Sequence, residues 1–305
     1  YMKKDNYKNF TLSILIYFIF LLFLLIVFAI INPVKLYTKI IQDQNYLILN
    51  YQMQKIKNSS GINSIFLGDS SLGNSINTDL FTELSNQKTL NLSLTKIYGF
   101  AGQFNLLKRA NRNSNNDIKN VYLMISYDFL DIDLDDKAYF ITQNNFFDIL
   151  DARSKTKFII EYFKFSFKLF FEFFNKNEVE YEEYLSKNIK NDFVIQNERD
   201  IYKYNLSKKI NPYIDSKKFF LKKIEEYSVK HNLNLVILNG PVLDTIYYDN
   251  PKAISEFDNF FTNNINYNYY NERVLLKYND VGNYPMHVKY SMKNTITKKY
   301  FDLIK

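Results

Sequence analysis

No cysteine occurs among the 305 residues, so disulfides, thiolate metal sites and cysteine nucleophiles are excluded. Tryptophan is absent too, histidine occurs twice, and glycine and proline number only 7 and 5. With two histidines and no nucleotide motif, neither a metal site nor any other cofactor is expected. Zero cysteine fits an oxidising exterior and a reducing cytosol equally, so it does not choose a compartment. What the chain has instead is apolar mass: 47% hydrophobic residues, with 28 Phe and 26 Tyr, excludes a disordered chain. The richness in Phe, Tyr, Lys, Asn and Ile reflects AT-rich codons more than chemistry. A formal charge of +7, from 39 basic and 32 acidic residues, suits an anionic surface such as phospholipid headgroups or an acidic glycan. No basic stripe interleaved with aromatics marks a nucleic-acid fold, and no nucleic-acid partner is expected.

Charge is also missing from one long stretch. Thr11 to Ile31 carries no charged residue, and Asn32-Pro33 ends it. As a helix this run spans roughly the 30 Å hydrocarbon core, and it is apolar all round. It is too long for a cleaved signal peptide, and its one small residue near the end, Ala29, lies between Phe28 and Ile30, so residues 1–33 read as a retained transmembrane anchor. A buried core helix is the alternative. Lys3, Lys4 and Lys8 before the run, against Lys35 and Lys39 after it, favour a cytoplasmic start and a main domain in the periplasm or outside the cell.

Beyond the anchor, Val34 to Lys57 reads as a helical stalk or first domain helix, with a stalk assigned to residues 34–60. Short runs rich in Ile, Leu and Val follow at Ile62 to Leu67, Thr89 to Leu94, Val121 to Ile125 and Leu233 to Leu238, as in buried parallel strands. Helical patterns separate them at Gly99 to Ala110 and Ser216 to Lys230, and Asn250-Pro251 reads as a helix start. Strands alternating with helices predict a doubly wound three-layer α/β domain over residues 61–305. From Asp131 to Tyr213 the strand rhythm stops, and the stretch reads as a mostly helical, aromatic insertion. Within it Phe158 to Phe174 is too charged to span a bilayer; Lys164 and Lys168 share one face. An interfacial helix and a helix packed on the domain's own core both fit.

The sharpest local signal is Ile-Phe-Leu-Gly-Asp-Ser-Ser-Leu at Ile65 to Leu72, a strand running through Gly68 and Asp69 into a helix beginning near Ser70. Such turns at the carboxyl edge of a parallel sheet are where α/β proteins place active sites. There a serine hydroxyl projects into a cleft and backbone N–H groups stabilise an oxyanion; the structural alternative is an ordinary serine N-cap. His287 lies in Gly-Asn-Tyr-Pro-Met-His-Val, before a helix read over Ser291 to Ile304. A neutral imidazole is the usual base for a serine hydroxyl, whereas His231, at a helix end, takes a structural place. A surface-loop histidine is the alternative for His287.

Gly-Asp-Ser after a first strand, with a histidine in a loop before the last helix, resembles the outer motif blocks of the SGNH (GDSL-type) hydrolases. The resemblance covers residues 62–305 and implies a flavodoxin-like parallel sheet with Ser70 as nucleophile and His287 as base. The family builds its oxyanion hole from the first block's backbone, a second-block glycine and a third-block asparagine. Here Ser93 stands at that glycine's position, in Asn91-Leu92-Ser93, and Tyr127 at the asparagine's, in Met-Ile-Ser-Tyr-Asp ending at Asp128. Asn91 and Asn105 are candidates for the missing amide, with Asp69 and Asp128 also at the site. The acid that the family places three residues before its histidine falls on Tyr284, and the nearest upstream acid is Asp280.

Divergent SGNH-like domains behind a membrane helix resemble bacterial envelope proteins that acylate or deacylate extracellular polymers, often beside a polytopic membrane-bound O-acyltransferase. That implies a membrane-tethered acyltransferase or esterase acting on a cell-surface glycan through a serine acyl-enzyme. Two other readings stay open. One is a catalytically degenerate glycan-binding or scaffolding subunit, favoured by Tyr127 and Tyr284 at motif positions. The other is an unrelated anchored α/β protein in which Gly-Asp-Ser is coincidental.

Overall fold

Continuous apolar runs of five or six residues become strands when helices cover both faces of a sheet. In the computed structural model, which describes residues 4–31, 44–113, 115–132, 134–142, 155–173, 189–190, 193–194 and 214–305, they do so. Strands β1 (Ser64–Gly68), β2 (Thr89–Ser93), β3 (Asn120–Ile125) and β6 (Asn234–Asn239) are parallel, and β1 and β2 are buried along their whole length. A fifth strand, β8 (Asn268–Tyr270), pairs parallel with β6 at the edge. It is not legible in the sequence, because Asn-Tyr-Tyr is short and carries no aliphatic run. The sheet order β2-β1-β3-β6-β8 reverses direction beside β1, the doubly wound arrangement in which sites form at the strands' carboxyl ends.

The intervening helices are α2 (Gln44–Asn58), α3 (Ser70–Ser75), α4 (Thr78–Ser85), α5 (Gly99–Arg112), α6 (Asp136–Thr142), α8 (Ile214–Lys230), α9 (Asp244–Asp249), α10 (Pro251–Asn264) and α11 (Lys293–Ile304). Proline opens α10, where its missing N–H costs nothing. Side chains alternate across each strand. Phe66, Tyr122, Met124, Val236 and Leu238 therefore share one face and pack with Phe81 of α4 and Ile296 and Tyr300 of α11. Phe66 stacks on Tyr122 at 4.7 Å and meets Phe81 edge-on at 4.9 Å. Truncating a phenylalanine so enclosed costs about 3–5 kcal/mol. Helix α2 buries Tyr46 to Leu49, and Gln52 Nε2 donates to Ser93 O at 2.9 Å, so this segment packs with the α/β unit.

The stretch read as mostly helical also contains strands: β4 (Ile189–Lys190) and β5 (Phe193–Val194) form an antiparallel pair. Phe193 presses on α3 so closely that a Cβ on Gly73 would lie 2.3 Å from its ring. Much of the remaining insertion, and residues 32–43 of the segment after the anchor, lie outside the described residues.

The chain divides into two compact units, and the α/β unit comprises Asp43–Thr142 with Glu180–Lys305. The other comprises Tyr1–Gln42 with Gln143–Val179 and holds α1 (Lys4–Ile31) and α7 (Lys155–Phe173). The 22 residues Tyr7–Phe28 of α1 are long and apolar enough to cross a membrane, and none of that stretch is buried.

Candidate active site

The site grows out of the turn after β1. Gly68 is required there, because a Cβ would sit 2.1 Å from Met124 O on the neighbouring strand. Buried Gln103 of α5 holds the same glycine from both sides, accepting from Gly68 N at 3.0 Å and donating to Gly68 O at 2.7 Å. Asp69, not Ser70, caps α3: its carboxylate accepts from Ser71 N at 2.8 Å and Ser71 Oγ at 2.6 Å. The Ser70 hydroxyl, at the first helical position, is thereby left for another partner.

That partner is His287. Its Nε2 lies 2.8 Å from Ser70 Oγ, across 217 positions of sequence. The histidine is carried by a loop pinched by an antiparallel bridge between Val281 and Val288, with Gly282 N donating to His287 O at 2.8 Å. Pro285 O accepts from Leu243 N in β7 (Val242–Leu243), which pairs with β9 (Leu275–Leu276). The helix after the loop is docked onto α3 and the start of α4: Lys293 Nζ donates to Gly73 O at 2.7 Å, and Thr297 Oγ1 accepts from Asn77 N at 2.9 Å. Ser70 and His287 thus sit on elements that hold each other.

His287 Nδ1 meets Asn283 Oδ1 at 2.9 Å. An amide oxygen only accepts, so Nδ1 carries the proton and Nε2 is the acceptor for the Ser70 hydroxyl. Burial pushes the imidazole down to about 4; Lys96 adds to that and Asp128 opposes it. The ring is therefore neutral near pH 7, the form that can take a proton.

Asp280 does not occupy the third position. Its carboxylate accepts from Lys277 N at 3.1 Å and closes its own 3₁₀ turn over Tyr278–Asp280. The turn consumes the acid, and the bridge brings Asn283 under the ring instead. Asn283 stands four residues before the histidine, but an amide there carries no motif signal.

A second polar cluster adjoins the pair. Asp69 also accepts from Ser126 N at 3.0 Å and from Ser126 Oγ, which in turn lies 2.8 Å from Asp128 Oδ1. Asp128 Oδ2 accepts from Lys96 Nζ and from Tyr284 OH. Burial alone would raise Asp128, but the Lys96 charge and the hydrogen bonds from Lys96 and Tyr284 hold it below the ordinary value. Burial raises Asp69 despite its hydrogen bonds, and Asp128 nearby adds to the rise. Tyr284, pushed well above its ordinary range by burial and by Asp128, stays a donor, with its ring centroid 5.1 Å from that of His287. Gly240 closes the floor, since a Cβ there would lie 2.6 Å from Ser71 Oγ. Lys96 and Asn283 carry no motif signal, and Ser126 and Tyr284, which stand in or at motif positions, are of residue types that do not define the motifs there.

The amides proposed for an oxyanion hole are committed elsewhere. Asn91 Nδ2 donates to Ile76 O at 3.2 Å and its Oδ1 accepts from Ser93 N at 3.0 Å. Asn105 Nδ2 donates to Ala101 O and Thr142 Oγ1, both at 3.1 Å, tying α5 to α6. Ser93 Oγ is buried with no hydrogen-bond partner among the described residues. Tyr127 turns its ring into the core against Phe257 at 6.3 Å, and burial pushes its hydroxyl up to about 12. Among the described residues no group of acids and histidines is arranged to hold a metal ion.

Compared with models of known families and with curated proteins, the chain matches none.

Proposed function

We propose that this chain is an SGNH-like serine esterase or O-acyltransferase, tethered to a membrane by α1, whose substrate is a cell-surface glycan. The observation that carries this reading is the 2.8 Å contact between Ser70 Oγ and a neutral His287 Nε2 at the carboxyl edge of a parallel sheet. His287 Nε2 takes the Ser70 proton as Oγ bonds to the acyl carbonyl carbon. The tetrahedral oxyanion collapses, the leaving oxygen takes the proton back from His287, and the acyl group stays on Ser70. A sugar hydroxyl, or water, then attacks with His287 again as base, and Ser70 is restored. The Ser70 backbone N–H, which has no intrahelical acceptor at the first helical position, is the first oxyanion donor. A polytopic O-acyltransferase in the same membrane is the proposed source of the acyl group, and the α/β unit then lies outside the cytoplasm.

The test is fluorophosphonate labelling of the full chain in detergent, with p-nitrophenyl acetate turnover alongside. Wild type is expected to label and Ser70→Ala not; equal labelling of the two removes Ser70 from its role. A second reading, a non-catalytic glycan-binding or scaffolding subunit, is favoured by the commitment of Asn91 and Asn105 and by the neutral Asn283. A folded wild type that neither labels nor turns over ester would establish it.

A further inference from the structure

Helix α7 presents its residues in distinct sectors. At about 100° per residue, Tyr162, Phe165, Ser166 and Leu169 fall together, and all four are buried. Opposite them Ile160 and Phe171 are 49% and 59% exposed. Half-buried Phe163, Phe167 and Phe170 form one flank. Glu161, Lys164 and Lys168 form the other, with Lys164 bridged to Glu161 at 2.8 Å. The accessible part of α7 is therefore an apolar sector of about 100° beside a narrow charged strip. A helix on a water-facing surface has the reverse arrangement, with polar residues outward.

The apolar sector also has a direction. Phe170 belongs to it, and its ring meets Phe28 edge-on at 5.2 Å. Phe28 lies near the C-terminal end of the uncharged run of α1, three residues before Ile31. The side of α7 turned toward the end of that stretch is thus the aromatic one. The contact falls where a bilayer's hydrocarbon would give way to its headgroups.

We infer that α7 is a second membrane contact, an interfacial helix lying in the bilayer surface beside the Phe28 end of α1. Ile160, Phe163, Phe167 and Phe171 enter the outer acyl-chain region. Lys164 and Lys168 run their methylene stems along it and meet phosphate groups with their ammonium ends. The occupant is phospholipid, and anionic headgroups suit the two lysines. The inference rests on α1 spanning the bilayer and is independent of the Ser70 chemistry.

The absence of tryptophan makes the test clean, since one introduced indole is the only one in the chain. The full chain is reconstituted in phosphatidylcholine–phosphatidylglycerol vesicles as Phe18→Trp, Phe171→Trp and Tyr248→Trp, all at exposed positions. Emission is then read with lipids brominated near the headgroup or deep in the chain, and with aqueous acrylamide. Phe18→Trp is expected to be quenched by the deep bromines. Phe171→Trp should be blue-shifted and quenched at least twofold more by the shallow bromines than by acrylamide. Tyr248→Trp, in the α/β unit, should respond to acrylamide alone. A Phe171→Trp that behaves like Tyr248→Trp while Phe18→Trp is quenched overturns the inference and leaves protein as the cover of that face. An unquenched Phe18→Trp removes its premise and overturns it as well. Adding Lys164→Glu and Lys168→Glu to Phe171→Trp should weaken the shallow quenching, and unchanged quenching would remove the lysines from the contact.

Discussion

The group on His287 Nδ1 is an amide, and under the proposed serine mechanism this has a kinetic consequence. Asn283 orients the ring but brings no charge to stabilise an imidazolium, so the base keeps its low pKa of about 4. Activity that requires neutral His287 is expected to hold as pH falls and to lose half its value near pH 4, read from the acid limb of kcat/KM. Asn283→Asp places a carboxylate on Nδ1, favours the protonated ring and should move that limb upward. Asp280→Asn should leave it in place, because Asp280 faces Lys277 N. Removing the base, His287→Ala, is expected to lower kcat by about 10²–10⁴-fold. Stability follows the same sign. Between the unfolded value of about 6.5 and the folded value of about 4, the unfolded chain binds the proton and the folded chain does not. His287 therefore makes the fold less stable as pH falls through that window. A His287→Gln variant should show a flatter urea midpoint between pH 7 and pH 4.

At the scale of elements, the turn after β1 is held by packing that excludes side chains. Gly68→Ala drives a Cβ into Met124 O and should separate β1 from β3. A loss of about 3 kcal/mol or more in urea unfolding is expected. Gly73→Ala meets the Phe193 ring instead, which is a side chain and is removable. Phe193→Ala alone should destabilise, while Gly73→Ala on that background should cost much less than on wild type, a coupling that a double-mutant cycle measures. Four of the five sheet strands were legible from their aliphatic runs, and α5, α8 and α10 from periodicity and a proline. The edge strand β8 and the pair β4–β5 were not, because two- or three-residue strands are made by the neighbour they bond to.

For the whole molecule, α1 is long and apolar enough to cross a membrane, and the proposal that it does so makes a prediction. Leu21→Arg, placed within that helix, should raise the cost of insertion by about 2.5–3.5 kcal/mol. The expected outcome is a larger carbonate-extractable fraction than wild type. An unchanged fraction would argue against a bilayer around α1.

Some of this protein was settled by composition and order alone. An uncharged run of membrane length, aliphatic runs separated by helical periods, and a Gly-Asp-Ser turn need only local chemistry to be read. Tertiary structure decided which polar side chains meet. Asp69 took the cap and released Ser70; a two-residue bridge carried Asn283, rather than Asp280, to His287; and Asn91 and Asn105 were consumed by backbone carbonyls. The physical reason is range. Hydrophobic periodicity is written within a few neighbouring residues, whereas a hydrogen bond spanning 217 positions depends on every element packed between its ends.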